Sequence, residues 1–340
     1  MPELAALGWD DAWETAFEPY RRQGLAPARV AVPHRAAYDV LTADGEARAR
    51  LPGRLRHEAR GRTELPTVGD WVALEARDGS LPAIRAVLPR RTAFVRRLAP
   101  EGGRPGREQV VAANVDVMFV AASLGEELDP RRLERYLALV RQGGARPVLL
   151  LTKADLHERP ERAEAEARAL VSDVPVHAVS ARTGRGLDAL RSYLPPGVTG
   201  ALLGPSGVGK STLVNALVGE EVVATGEAGR DGVGRHVTTR RELVLLPDGG
   251  LLIDNPGMRE LHLTADREAL AQTFSDIAEL AAGCRFSDCR HEAEPGCAVR
   301  QALAEGRLAP ERWRIYRALA RELAEDEARA RRRRSPRGRR

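Results

Sequence analysis

Lysine is almost missing from this chain. Of its 53 basic residues only Lys153 and Lys210 are lysine, and arginine serves everywhere a generic positive charge is wanted. A planar guanidinium cannot replace a compact ammonium in a tight polar pocket, so the two lysines mark positions where chemistry overrides composition. Aromatic residues make up 4% of the chain, which excludes base stacking as the main means of holding a nucleic acid. The only cysteines, Cys284, Cys289 and Cys297, lie close together. An odd, clustered set excludes a disulfide framework and favours metal ligation. No apolar run is long enough to span a bilayer, and the amino terminus carries Glu3, Asp10 and Asp11 in place of a basic-then-apolar leader. No membrane partner and a cytoplasmic location are therefore expected.

What is present is a soluble composition, 43% hydrophobic and 30% charged, in 340 residues, enough for two or three domains. The net charge of +5 favours a polyanionic partner.

Lys210 closes the most informative stretch, Ala201 to Leu213. Its core is Gly204, Pro205, Ser206, Gly207, Val208, Gly209, Lys210, Ser211 and Thr212. A short apolar strand running into this loop, with a helix opening at Lys210, is the pattern of a phosphate cradle. Backbone N–H groups wrap the phosphates, Lys210 reaches the β- and γ-phosphates, and the Ser211 hydroxyl holds Mg²⁺. The other lysine stands in Thr152-Lys153-Ala154-Asp155, the form of a guanine-reading motif. The Asp155 carboxylate can accept from N1–H and the 2-amino group of guanine together, whereas adenine offers an acceptor at N1 and nothing at C2. Ser180 and Ala181, at the end of the next apolar run, would close the base pocket through backbone contact.

Downstream, the glycine-rich segment Gly219 to Arg241 contains Thr238 and Thr239; either could complete Mg²⁺ coordination, and Thr238 is preferred. The run Leu251-Leu252-Ile253-Asp254-Asn255-Pro256-Gly257 then places Asp254 to hold Mg²⁺ through water and the Gly257 amide to bond a γ-phosphate oxygen.

Around this centre the chain changes rhythm several times. Residues 1–27 form a helical lead-in with Trp9, Trp13, Phe17 and Tyr20 along one face. Residues 28–98 read as five short strands, RVAVPH, AAYDVLT, EARARLPGRLR, VGDWVALE and PAIRAVLP, an OB-type β-barrel whose arginine clusters suit RNA. Residues 99–109 are a glycine- and proline-rich linker, and 110–264 alternate apolar runs with helices, the signature of a parallel α/β sheet. Residues 265–328 carry Cys284, Cys289, His291 and Cys297, a closed donor set for one structural Zn²⁺ within a small helical domain. Residues 329–340 form a basic tail, expected to be disordered.

The guanine motif precedes the phosphate loop, the reverse of Ras-like GTPases, which makes 110–264 look like a circularly permuted P-loop GTPase. With TKAD, GPSGVGKST, GRHVTT, DNPG and CRFSDCRH with Cys297 in that order, residues 28 to 325 resemble the ribosome small subunit-dependent GTPase A family, RsgA. That resemblance implies a protein that binds GTP and GDP, associates with the small ribosomal subunit and its rRNA late in assembly, and leaves after hydrolysis. A monomer is expected. In this sequence Val237 follows the switch histidine where the family commonly has threonine, and Met258 stands where many GTPases orient the attacking water with glutamine. A thioether cannot do so, which leaves His236 as the candidate polar group beside Lys210 in the catalytic set. The competing expectation is an RNA-binding guanine-nucleotide switch or scaffold, on another rRNA target, with negligible turnover.

Overall fold

The computed structural model describes residues 3–34, 37–59, 61–76, 80–97, 108–124, 128–171, 173–220, 242–254, 270–271 and 273–334. The chain divides into two compact units, residues 1–128 with 143–262, and residues 129–142 with 263–340.

In the first unit a short 3₁₀ turn, Leu4–Leu7, leads to α1 (Asp11–Arg21), whose first turn is capped by the Asp10 carboxylate accepting from the Trp13 N–H. Its aromatic stripe packs inward, with Trp9 edge-on to Trp71 at 4.6 Å. β1 (Ala26–Pro33), β2 (Ala37–Thr42), β3 (Gly45–Arg50), β4 (Trp71–Glu75) and β5 (Ala83–Val87) close a five-stranded barrel in the order β1-β2-β3-β5-β4. Ala28, Val30, Val40, Ala49, Val72 and Ile84 fill it. The run expected as one strand, EARARLPGRLR, is a strand followed by a helix, α2 (Gly53–Glu58). Pro52 ends β3, having no N–H for a ladder, and stands at the helix N-cap, where none is needed.

A hairpin of β6 (Ala93–Arg97) and β7 (Glu108–Ala113) follows. The larger sheet consists of β8 (Val117–Ser123), β9 (Arg146–Thr152), β10 (Val176–Ala178), β11 (Thr199–Leu203), β12 (Glu242–Leu245) and β13 (Leu251–Asp254), in the order β10-β9-β8-β11-β13-β12. Every neighbouring pair is parallel except β12 with β13. The chain builds outward from β8 to β10 and then restarts at β11 on the other side of β8. Such a reversal opens a ligand crevice at the carboxyl ends of the central strands. Helices α4 (Pro160–Leu170), α5 (Leu187–Arg191) and α6 (Lys210–Val218) pack against the strands, which are buried on both faces, hence their continuous apolar runs.

One side chain ties the lead-in, barrel and sheet together. Arg29 is 2% exposed and donates to the Leu7 carbonyl, to the Asn114 carbonyl at 3.1 Å and to Thr199 Oγ1 at 2.8 Å, with its guanidinium 5.5 Å from the Trp71 ring centre. Burial lowers its pKa to about 10, partly offset by Asp116 and Asp70. An Arg29→Met substitution strands those buried acceptors, so the first unit should lose on the order of 3 kcal/mol of stability in urea unfolding.

The second unit holds α3 (Pro130–Gln142), α7 (Ser275–Ala282), α8 (Ala298–Ala304) and α9 (Pro310–Arg334), with α3 packed on α9 and α7 on α8. Helix α3 lies within residues 110–264 in sequence, and its contacts group it with the C-terminal helices. Its buried Glu134 accepts from Arg312 Nη1 at 2.7 Å, while Arg312 also grips Asp276 at 2.6 and 2.8 Å and lies over Phe274. Phe274, Ile277, Val299, Leu308 and Ile315 form the core there. The α9 backbone runs to Arg334, so residues 329–334 of the expected tail are helical, a run with strong intrinsic helix propensity; 335–340 lie outside the described residues.

Candidate functional site

The carboxyl edge of the six-stranded sheet gathers the ends of β8, β9, β10, β11 and β13. Thr152 ends β9, Ser180 follows β10, the glycine-rich loop follows β11, and Asp254 ends β13.

The loop from Gly204 to Gly209 requires backbone that other residues resist. Gly204 has φ +153° and lies so close to β8 that a Cβ would stand 2.5 Å from the Ala121 carbonyl oxygen; Gly207 and Gly209 have φ of +77° and +98°. Gly209 is the N-cap of α6 (Lys210–Val218), so the loop amides and the positive end of the helix face the same crevice. Lys210 is 5% exposed, and its ammonium donates to the carbonyls of Gly204 at 2.8 Å and Pro205 at 2.6 Å. Ser211 and Thr212 follow in the first turn. A Gly204→Ala variant must shift either β8 or the loop, and its affinity for GDP should fall roughly tenfold or more in a titration with a fluorescent guanine nucleotide.

The guanine-reading segment is fastened to this loop. The Thr152 hydroxyl donates to the Val208 carbonyl at 2.6 Å and lies 3.1 Å from that of Ala122. Lys153 adopts left-handed backbone, φ +58°, which lets the chain turn off β9 into a short 3₁₀ segment, Ala154–Leu156. Asp155 is exposed and accepts from the Ser180 hydroxyl at 2.6 Å; this bond, aided by Arg182, holds its carboxyl below the usual range, so it is ionised at neutral pH. The Ala154 amide bonds the Val179 carbonyl at 3.1 Å, joining the loops after β9 and β10. Ala181 is half-buried beside Ser180.

The structure therefore brings Thr152, Lys153, Asp155, Ser180, Ala181, residues 204–212 and Asp254 to one edge. His236, Thr238, Gly257 and Met258 lie outside the described residues. No sequence signal marked Ala121 and Ala122, whose carbonyls wall the loop; only the strand pairing of β8 with β11 places them there.

In the second unit the donor atoms of Cys284, Cys289, His291 and Cys297 all lie within 4.8 Å of one another. The Cys284 and Cys297 sulfurs are 3.9 Å apart, and His291 Nδ1 is 3.4 Å from each. Tetrahedral zinc, with bonds of about 2.3 Å to sulfur and 2.0 Å to nitrogen, would set these edges near 3.8 and 3.5 Å. The set fits such an ion, and Trp313 supports the imidazole edge-on at 5.8 Å.

A phosphate loop after one central strand, an acidic residue ending its parallel neighbour and a guanine reader earlier in the chain define a circularly permuted P-loop GTPase. Known proteins agree with that class. A family model for the RsgA GTPase matches residues 87–264. The small ribosomal subunit biogenesis GTPase RsgA of Opitutus terrae is 49% identical, covering 94% of this chain and 90% of its own length. The crystal structure of YjeQ from Thermotoga maritima superposes with TM-score 0.67 at 25% identity, covering 88% of this chain and 99% of that one. YloQ, described as a circularly permuted GTPase, shares the fold with TM-score 0.64 at 23% identity, over 89% of this chain and 96% of its own. This chain belongs to the RsgA GTPase family, and its activity is hydrolysis of GTP.

Proposed function

We propose that this GTPase binds the small ribosomal subunit, acts late in its assembly, and leaves after hydrolysis. The observation that carries the reading is the 49% identity, over nearly the whole chain, with a relative named for that role. The barrel's arginine clusters suit rRNA phosphates, and a cytoplasmic monomer is the form we propose. Among the described residues no helix is long and apolar enough to cross a membrane.

In the proposed mechanism Asp155 selects guanine by accepting two N–H groups, with Thr152, Lys153, Ser180 and Ala181 shaping the pocket. The amides of 204–209 and the Lys210 ammonium neutralise the phosphates, Lys210 exchanging its bonds to Gly204 and Pro205 for phosphate oxygens. Ser211 and Asp254, with Thr238, would hold Mg²⁺, which would supply neutralisation of phosphate charge. Gly257 senses the γ-phosphate, and His236 orients the attacking water. Cys284, Cys289, His291 and Cys297 hold one structural zinc ion.

Replacing Asp155 by asparagine should cost on the order of tenfold to hundredfold in GDP affinity, because the amide's own N–H₂ cannot accept from guanine. The same variant should gain affinity for xanthosine diphosphate, whose C2 carbonyl accepts from that amide; competition titrations read both. The ribosomal reading is tested by co-sedimentation with purified subunits. The form loaded with a GTP analogue should pellet with small and not large subunits, and more tightly than the GDP form; equal binding to both subunits would sink it.

A further inference from the structure

The chain holds four tryptophans, five tyrosines and five phenylalanines. Phe286 alone among them is exposed, at 41%; every other ring is buried or half-buried. It stands in the four-residue loop between Cys284 and Cys289. Both flanking cysteines belong to the four-donor cluster, the Cys284 amide bonds the Ala281 carbonyl at 3.1 Å, and the Cys289 amide bonds the Phe286 carbonyl at 3.3 Å. With 41% of its surface left to solvent, burial accounts for only part of this ring's placement.

Its surroundings are those of a stacking site. The Arg285 guanidinium lies 5.6 Å from the Phe286 ring centre. The Arg285 amide bonds the Gly296 carbonyl at 3.1 Å, and its stem lies so near Gly296 that a Cβ there would stand 3.1 Å from the arginine Cβ. Arg290, which follows Cys289 in the chain, is exposed. The nearby acids are largely engaged. The Glu294 carboxylate accepts from its own amide and from those of Arg290, Glu292 and Ala293, which hold its carboxyl down at about 2, and Glu292 pairs with Arg317 at 3.6 Å. Asp288 is the remaining acid on the loop.

We infer that Phe286 stacks on an unpaired nucleobase of RNA, with Arg285 and Arg290 on the adjoining phosphates. This rests on the ribosomal reading for the identity of the RNA, though not for the chemistry. An arginine-flanked ring on a rigid loop fits a splayed base better than an apolar protein pocket, which would leave two guanidinium groups to be desolvated. The scarcity of aromatics excludes a stacking platform along the chain; it does not bear on one ring that fixes register.

The test uses the full-length, zinc-loaded protein and an RNA hairpin carrying 2-aminopurine in its unpaired loop, whose fluorescence falls on stacking. Wild type and Phe286→Trp should quench it, and Phe286→Leu, which keeps apolar bulk and removes the π face, should not. Affinity for small subunits should fall by about fivefold to a hundredfold in Phe286→Leu with an unchanged salt slope, since no phosphate contact is lost. One zinc per chain in the variant certifies the fold. Equal quenching by wild type and Phe286→Leu, or none by wild type, overturns the inference. If wild type fails to pellet with small subunits, the ribosomal reading falls, and the hairpin alone decides the stacking.

Discussion

Replacing Lys210 by alanine is expected to reduce GTP turnover by about a hundredfold to a thousandfold, the usual cost of removing one preorganised group from a site of developing charge. Lys210→Arg should do little better. The Lys210 ammonium is 5% exposed and fits between the carbonyls of Gly204 and Pro205 at 2.8 and 2.6 Å, a space with room for a point donor and none for a planar fork. In a chain where arginine otherwise replaces lysine everywhere except Lys153 and Lys210, failure of the arginine variant is the sharper result. Single-turnover hydrolysis with saturating GTP measures it; turnover in Lys210→Arg within threefold of wild type would contradict the assigned role.

Removing zinc should unfold the second unit. The core there is small, and Cys297 is at once a member of the proposed zinc set, the cap of α8 and part of the apolar cluster. Structural zinc contributes about 10–16 kcal/mol in small domains at neutral pH, more than such a core supplies alone. Chelation, or a Cys284→Ser and Cys297→Ser double variant, is therefore expected to lose helical circular dichroism and the metal together. GDP affinity should survive, because the nucleotide residues belong to the first unit. Metal analysis that finds no stoichiometric ion in folded protein would contradict this.

The nucleotide site was legible because its chemistry is local. Glycines at 204, 207 and 209 announce a backbone that a Cβ would block, and Lys210-Ser211 after them leaves few other readings. TKAD is four letters, and its meaning came from standing at the end of an apolar run in the same α/β rhythm. The barrel strands were legible from alternation, except where Pro52 converts the second half of a strand-like run into α2. What stayed hidden depends on long-range contact. Arg29 looks like any barrel arginine, and only the fold brings it to Leu7, Asn114 and Thr199. Helix α3 lies in sequence between two strands of the sheet, yet groups with the C-terminal helices through Glu134 and Arg312, residues 178 positions apart. Periodicity shows that a helix has an apolar face but not which partner covers it.

The central claim is that the guanine-nucleotide site serves the small ribosomal subunit. GTP turnover measured alone, with purified small subunits, and with large subunits tests it most directly. The account predicts slow hydrolysis by the isolated protein, since Met258 cannot orient water, and strong stimulation by small subunits only. No stimulation by either subunit, or equal stimulation by both, would contradict it.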